Sequence, residues 1–204
     1  MQQIRFVIFD MDEVLYDYDH QIRLGLLEKL TGRPASEIDA AVWGGPHEIR
    51  AEAGSPATPE GYLAQYAELL GYPIDFDTWA DIRRQMMRPR HDVLDLVRRL
   101  SRKADLALLT NNGMLLKLAF PICAPDVVEI FGEKAHVSAE FSARKPDPLV
   151  FQRICDRYGY TPGESAFVDD REGNVEGAER AGLTGHVFTS RDGLFSFLDR
   201  HKLI

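Results

Sequence analysis

The stretch Arg5-Phe6-Val7-Ile8-Phe9-Asp10-Met11-Asp12 decides how this chain is read. Phe6 to Phe9 run without a polar break, as expected of a parallel strand buried on both faces. The run then ends in two aspartates separated by one residue. Two later apolar runs also lead directly into polar residues: Leu106–Leu109 into Thr110-Asn111-Asn112, and Ala166–Val168 into Asp169-Asp170. Lys145 stands in the loop Ala143-Arg144-Lys145-Pro146, just ahead of a helical pattern at Leu149–Tyr158. Further helices are expected through Val93, Leu94, Val97 and Leu100 and again up to Ala181, with short strands near His136–Val137 and at His186–Phe188. Helices alternating with short apolar strands imply βαβ units around a parallel sheet.

The segment between Asp17 and His91 reads differently. It has no compact β-branched run but carries four helix signatures. Ile22, Leu26, Leu27 and Leu30 recur at helical spacing and stop at Gly32 and Pro34, and Ser36 is placed to cap a second short helix. Thr58-Pro59-Glu60 opens a third helix that stops at Gly71, and Asp77 is placed to cap a fourth through Trp79, Ile82 and Met86. The expected organisation is an α/β core formed by residues 1–16 and 92–204, with a small four-helix bundle, residues 17–91, inserted into it.

Composition narrows the function. The chain has 204 residues, 45% hydrophobic and 27% charged, and 24 basic against 32 acidic side chains give a net charge of −8. That length supports a substantial core. The acidic balance disfavours nucleic acid and membrane surfaces, both of which need excess Lys and Arg. No run approaches the roughly 18 apolar residues of a membrane span, and no secretory signal is recognised, so a cytoplasmic address is the expectation. Cys123 and Cys155 are too far apart for a Cys-x-x-Cys site. The dinucleotide fingerprint, the P-loop, His-Glu-x-x-His and the Gly-x-Ser-x-Gly elbow are all absent.

Residues at strand ends invite a local explanation, because Asp, Thr and Asn also cap helices and form turns. Four such sites at strand ends, in this order, point instead to one crevice at the carboxyl edge of the sheet. Two carboxylates about 4 Å apart repel by about 4 kcal/mol at an effective dielectric near 20. Several acids together therefore call for cations. Lys145 supplies one positive charge, and Mg²⁺, held by one or two carboxylates, water and substrate oxygens, suits the remainder better than calcium, which wants more protein oxygens. An aspartate beside Mg²⁺ is a competent nucleophile toward phosphorus, with Thr110 and Lys145 placed to hold the phosphoryl oxygens.

The sequence Phe9-Asp10-Met11-Asp12-Glu13-Val14-Leu15, followed by Leu109-Thr110-Asn111, Arg144-Lys145-Pro146 and Val168-Asp169-Asp170 with Asn174, resembles the haloacid dehalogenase (HAD) superfamily. The resemblance is to its helical-cap branch, which includes sugar-phosphate phosphatases, 2-haloacid dehalogenases and the phosphatase domain of soluble epoxide hydrolase. It implies a Rossmann-like parallel-sheet core with an inserted helical cap. It further implies that Asp10 attacks phosphorus, and that Asp12 protonates the leaving alcohol, activates the hydrolytic water and ligates Mg²⁺ through its backbone carbonyl. Thr110 and the amide of Asn111 would bind the phosphoryl group. Lys145 would neutralise nucleophile and phosphate, paired with Asp169, while Asp10 and Asp170 would complete the metal ligands and Asn174 would support that loop.

The implied activity is a Mg²⁺-dependent phosphatase acting on a small phosphorylated metabolite, possibly a sugar phosphate, as a monomer or homodimer. A dehalogenase, a phosphosugar mutase and a catalytically idle binding domain are the alternatives. Asp12 favours the phosphatase, because a halide leaves without a proton whereas an alcohol benefits from an acid. One position departs from the pattern: Glu13 stands where such phosphatases usually have glycine, so the turn either keeps ordinary angles or gives Glu13 a local task such as steering the cap. Trp43, Gly44, Gly45, His47 and Arg50 form a stretch that could close over the crevice, although packing of Trp43 between helices is the preferred reading. Arg144 would either reach substrate or brace the Lys145 loop.

Overall fold

The computed structural model describes residues 3–204. Five strands form one parallel sheet: β1 (Phe6–Phe9), β4 (Asp105–Thr110), β5 (Ala135–Val137), β6 (Ser165–Asp169) and β7 (Thr184–Val187), in the order β5-β4-β1-β6-β7. The central strand β1 pairs with β4 through Phe9↔Leu108 and with β6 through Phe9↔Val168. All four β1 residues are buried, as the unbroken apolar run requires.

Side-chain alternation splits the core into two layers. Val7, Phe9, Leu106, Leu108, Ala166 and Val168 face a layer that includes helices α6 (His91–Leu100), α7 (Met114–Cys123), α8 (Pro125–Phe131) and α11 (Arg191–Arg200). Phe6, Ile8, Ala107, Leu109 and Phe167 face α9 (Pro148–Tyr158) and α10 (Glu172–Arg180). The result is the α/β architecture expected from alternating strands and helices.

The segment that leaves the sheet after β1 is bounded by a second, antiparallel pair, β2 (Tyr16–Tyr18) and β3 (Met87–Pro89), in register Tyr16↔Pro89. Three-residue strands are too short to show alternation, which is why this pair is invisible in the sequence. Between them lie α1 (His20–Thr31), α2 (Ala35–Val42), α3 (His47–Glu52), α4 (Pro59–Leu70) and α5 (Phe76–Gln85), one helix more than the four signatures predict. The additional helix, α3, overlaps the stretch from Trp43 to Arg50, for which no helix is expected from the sequence, and has six residues, fewer than two turns of periodicity.

Two expected caps are corrected. Ser36 lies inside α2, which follows Pro34 without a side-chain cap, and Asp75, not Asp77, caps α5 by accepting from the Thr78 amide. The expected last strand also begins earlier, at Thr184. Thr58 and Gly71 do close α4 at its two ends, Gly71 in the left-handed conformation at φ 62°. No helix among the described residues is long and apolar enough to cross a membrane.

Candidate active site

Because β1 sits between β4 and β6, Asp10, Thr110 and Asp169 emerge from neighbouring strands at the carboxyl edge of the sheet. This edge is where open α/β sheets receive ligands. Lys145 reaches the same point from the loop before α9. Its Nζ lies 2.8 Å from Asp10 Oδ1 and 2.7 Å from Asp169 Oδ2, with only 1% of the side chain exposed. Lys145 donates to Asp169, and its ammonium forms an ion pair with Asp10 Oδ1.

Three local devices fix that lysine. Asn111 clamps its backbone from both sides, with Nδ2 donating to Lys145 O at 2.9 Å and Lys145 N donating to Asn111 Oδ1 at 2.9 Å. Asn174, projecting from α10, donates to both Asp169 oxygens at 3.1 and 3.0 Å, and the Arg171 amide donates to Asp169 Oδ1 at 2.8 Å. Helix α10 comes this close because of Gly177, where an added Cβ would lie 2.3 Å from Pro146 O, in the loop after Lys145. Thr110 Oγ1 accepts from Asn112 Nδ2 at 3.0 Å, which leaves its own proton free to donate.

The electrostatics follow from burial and crowding. Burial raises the Asp10 carboxyl to about 8; Lys145 opposes the shift and Asp169 and Asp12 add to it. Burial and Asp169 also raise Asp170. For Lys145 burial works downward, but Asp10 and Asp169 prevail and hold it above the ordinary lysine range. The carboxylates of Asp10, Asp169 and Asp170 each bring an oxygen within 4.8 Å of the others. Both Asp169 oxygens are already occupied by protein donors and Asp10 Oδ1 faces Lys145, so among the described residues the open carboxylate oxygens are Asp10 Oδ2 and those of Asp170. Among the described residues no backbone amide donates to the Asp12 carbonyl, so it too is available. An oxygen-only donor set of this kind suits a hard divalent cation.

A cavity of about 360 Å³ opens over these groups and is lined by Asp10, Asp12, Thr110, Asn111, Lys145, Asp170 and Asn174. Asp169 lies beneath it, fully buried. The eight site residues expected from the sequence thus lie together in one place. Glu13, at φ 61°, adopts the left-handed conformation that glycine would accept freely, and it also has a local task. Its carboxylate accepts from Tyr18 N at 2.9 Å and from Arg90 Nη2 at 2.9 Å, while Arg90 Nη1 bonds its carbonyl at 2.7 Å. Glu13 therefore ties together the two strands, β2 and β3, through which the chain leaves and re-enters the core.

Other neighbours were not evident from sequence. Tyr18 and Glu52 line the cavity from the helical segment, and Arg144 braces its rim by pairing with Glu52 at 2.5 Å. Arg83, from α5, donates to Asp12 at 2.7 Å. Its one sequence signal is position, four residues after Trp79 on a stripe that should be apolar. Trp43 packs against His20, Arg23 and Tyr66, and neither His47 nor Arg50 lines the cavity.

Known proteins are similar to this chain. A phosphatase of Mycobacterium tuberculosis is 28% identical over 223 residues, covering 94% of this chain and 92% of the relative. N-acylneuraminate-9-phosphatase of Rattus norvegicus is 29% identical over 117 residues, which cover 56% of this chain and 46% of that enzyme, so the match spans about half the length of this relative. Among solved structures, a HAD family enzyme of Bacteroides thetaiotaomicron in complex with magnesium and inorganic phosphate superposes with a TM-score of 0.76 at 22% identity, covering 91% of this chain and 94% of that one. L-2-haloacid dehalogenase of Xanthobacter autotrophicus superposes with a TM-score of 0.60 at 22% identity, over 99% and 85% of the two chains. These two structural likenesses concern the fold. The profile of the haloacid dehalogenase-like hydrolases matches residues 4–182, a span that runs from just before β1 into the loop after α10 and holds every group of the site, and the chain belongs to that family.

Proposed function

We propose that this protein is a Mg²⁺-dependent phosphatase that hydrolyses a small phosphorylated metabolite through an aspartyl-phosphate, with the helical segment of residues 17–91 serving as a cap over residues 1–16 and 92–204. The observation that carries the reading is Lys145 Nζ, held between Asp10 and Asp169 at 2.8 and 2.7 Å beside the free carboxylate of Asp170. A buried ammonium in that position lets a carboxylate approach an anionic ester, which it would otherwise repel.

Asp10 attacks phosphorus and the bond from phosphorus to the leaving oxygen breaks. Asp12 gives that oxygen its proton, then takes one from the water that attacks the phospho-aspartate, releasing inorganic phosphate and restoring Asp10. The Thr110 hydroxyl and the Asn111 amide hold phosphoryl oxygens where charge spreads in the transition state. Asp10, Asp170 and the Asp12 carbonyl would hold Mg²⁺, which supplies further positive charge to nucleophile and phosphate when bound.

The relatives named as phosphatases support this chemistry, and a sugar phosphate is the substrate class their company favours. The dehalogenase reading is weaker, because Asp12 lines the cavity and a halide would have no use for its proton. A screen of phosphorylated metabolites and haloacids with Mg²⁺ tests the reading. Phosphate release is expected, and Asp10→Asn is expected to lower it by at least about 10³-fold. Continued turnover by Asp10→Asn, or halide release without added metal, would overturn it.

A further inference from the structure

The apolar stripe of α5, with Trp79, Ile82 and Met86, includes an arginine, Arg83, that is 3% exposed. Its Nη2 donates to both Asp12 oxygens, at 2.7 and 3.1 Å. The guanidinium lies over the Tyr18 ring, 4.6 Å from its centroid, and its Nε has no partner. Helix α5 is fastened to the core close by, where the Cys123 thiol donates to the Ala80 carbonyl at 3.4 Å. A desolvated guanidinium is retained where a carboxylate compensates it, and the carboxylate that Arg83 bonds is Asp12.

Asp12 lines the cavity and its side chain is 26% exposed, whereas Arg83 is not part of the cavity wall. Arg83 therefore approaches Asp12 from the protein side and acts on a bound ester only through it. One nitrogen serves both oxygens, so lone pairs of the carboxylate remain available toward the cavity. We propose that Arg83 is a positioning residue: reaching over from the cap, it fixes the direction of the Asp12 carboxylate, so that the seating of α5 on the core aims the general acid–base. The proposal rests on the phosphatase reading above. Proton transfer needs a heavy-atom approach of about 2.6–3.2 Å, and misplacement by about 1 Å costs about 10²-fold.

The test uses full-length Arg83→Gln and Arg83→Lys, each alone and combined with Asp12→Asn, assayed with Mg²⁺ on two probes. One is p-nitrophenyl phosphate, whose leaving group departs with little protonation, and the other is the fastest alkyl phosphate in a metabolite panel. In single-turnover measurements of leaving-group release, Arg83→Gln is expected to slow the alkyl ester by about 10²-fold and p-nitrophenyl phosphate by less than about threefold, the later water step being common to both probes. It should add no further loss in the Asp12→Asn background, and Arg83→Lys should fall between it and the wild type.

Equal losses on both probes, an additive loss with Asp12→Asn, or full activity of Arg83→Gln would overturn the proposal. Thermal unfolding of each variant separates loss of fold from loss of aim, and Arg83→Lys, which keeps the charge, carries the test if the Gln variant does not fold. A wild type inactive on both probes would remove the phosphatase reading and this proposal with it. With an active wild type, the outcomes bear on Arg83 alone.

Discussion

The carboxyl edge of the sheet and the helical segment above it are held by different forces. At the sheet edge the groups around the lysine are bonded to one another: Lys145 meets two acids, Asp169 accepts from Lys145, Asn174 and the Arg171 amide, and Asn111 clamps the lysine's backbone. In the helical segment, the buried Arg23 makes no ion pair among the described residues and lies over the rings of Trp43, Tyr66 and Trp79 at 4.6, 5.6 and 5.8 Å. Trp79 Nε1 and the Tyr66 hydroxyl are buried there without partners. The surroundings of Lys145 specify positions by directional bonds and those of Arg23 by packing, so single substitutions should have sharply different consequences in the two.

Lys145→Met gives the largest expected effect. Methionine fills a similar volume but leaves Asp10 and Asp169 as buried acids without a cation, and removing one partner of such a pair typically costs about 3–5 kcal/mol. Denaturant unfolding in chelator should show that loss, and phosphatase turnover should disappear along with it. A Lys145→Met protein as stable as the wild type would mean that the acids at the sheet edge are not held by this ammonium, and the contrast with the helical segment would fail.

Glu13, at the junction of the two regions, should respond more mildly and in a way that separates strain from bonding. Both Glu13→Gly and Glu13→Ala lose the carboxylate's bonds to Tyr18 N and Arg90 Nη2, but only glycine also releases the left-handed backbone at φ 61°. The alanine variant should therefore be the less stable of the two by about 1–2 kcal/mol, read from paired denaturant curves. Equal stability of the two variants would mean that the turn relaxes once the carboxylate is gone.

The same contrast explains what could be read without coordinates. The sheet edge was legible because a parallel strand buried on both faces announces itself as an apolar run, and the residue that follows the run must lie at the carboxyl edge. Asp10, Thr110 and Asp169 follow from that geometry, and Lys145 from its place before a helix. Asn111 illustrates the limit: its position was legible, but its grip on the Lys145 backbone links residues 34 apart in sequence and leaves no local trace. In the helical segment, α3 was too short for a pattern, and β2 and β3 pair across the whole insertion. Arg83 did leave a signal, a charge on a buried stripe, but nothing in sequence says which acid it meets.

The far edge of the sheet gives the smallest expected effect and shows how far the bonded region extends. His186 on β7 stacks on Phe197 with centroids 4.6 Å apart, and its Nε2 is buried without a partner. Burial, helped by Arg200, holds its pKa below the ordinary histidine value. The folded state therefore favours the neutral ring. Above about pH 6.5 the ring is neutral in both states and pH has no leverage through it. Below that value the unfolded chain takes up a proton that the folded chain resists, so stability should fall as the pH drops toward the folded pKa. The stability of the wild type relative to His186→Gln should accordingly decline between about pH 7.5 and 5.5, with activity at neutral pH unaffected because His186 lies outside the cavity. A pH-independent difference would show that this histidine has a partner in solution, and that directional bonding reaches across the sheet to β7.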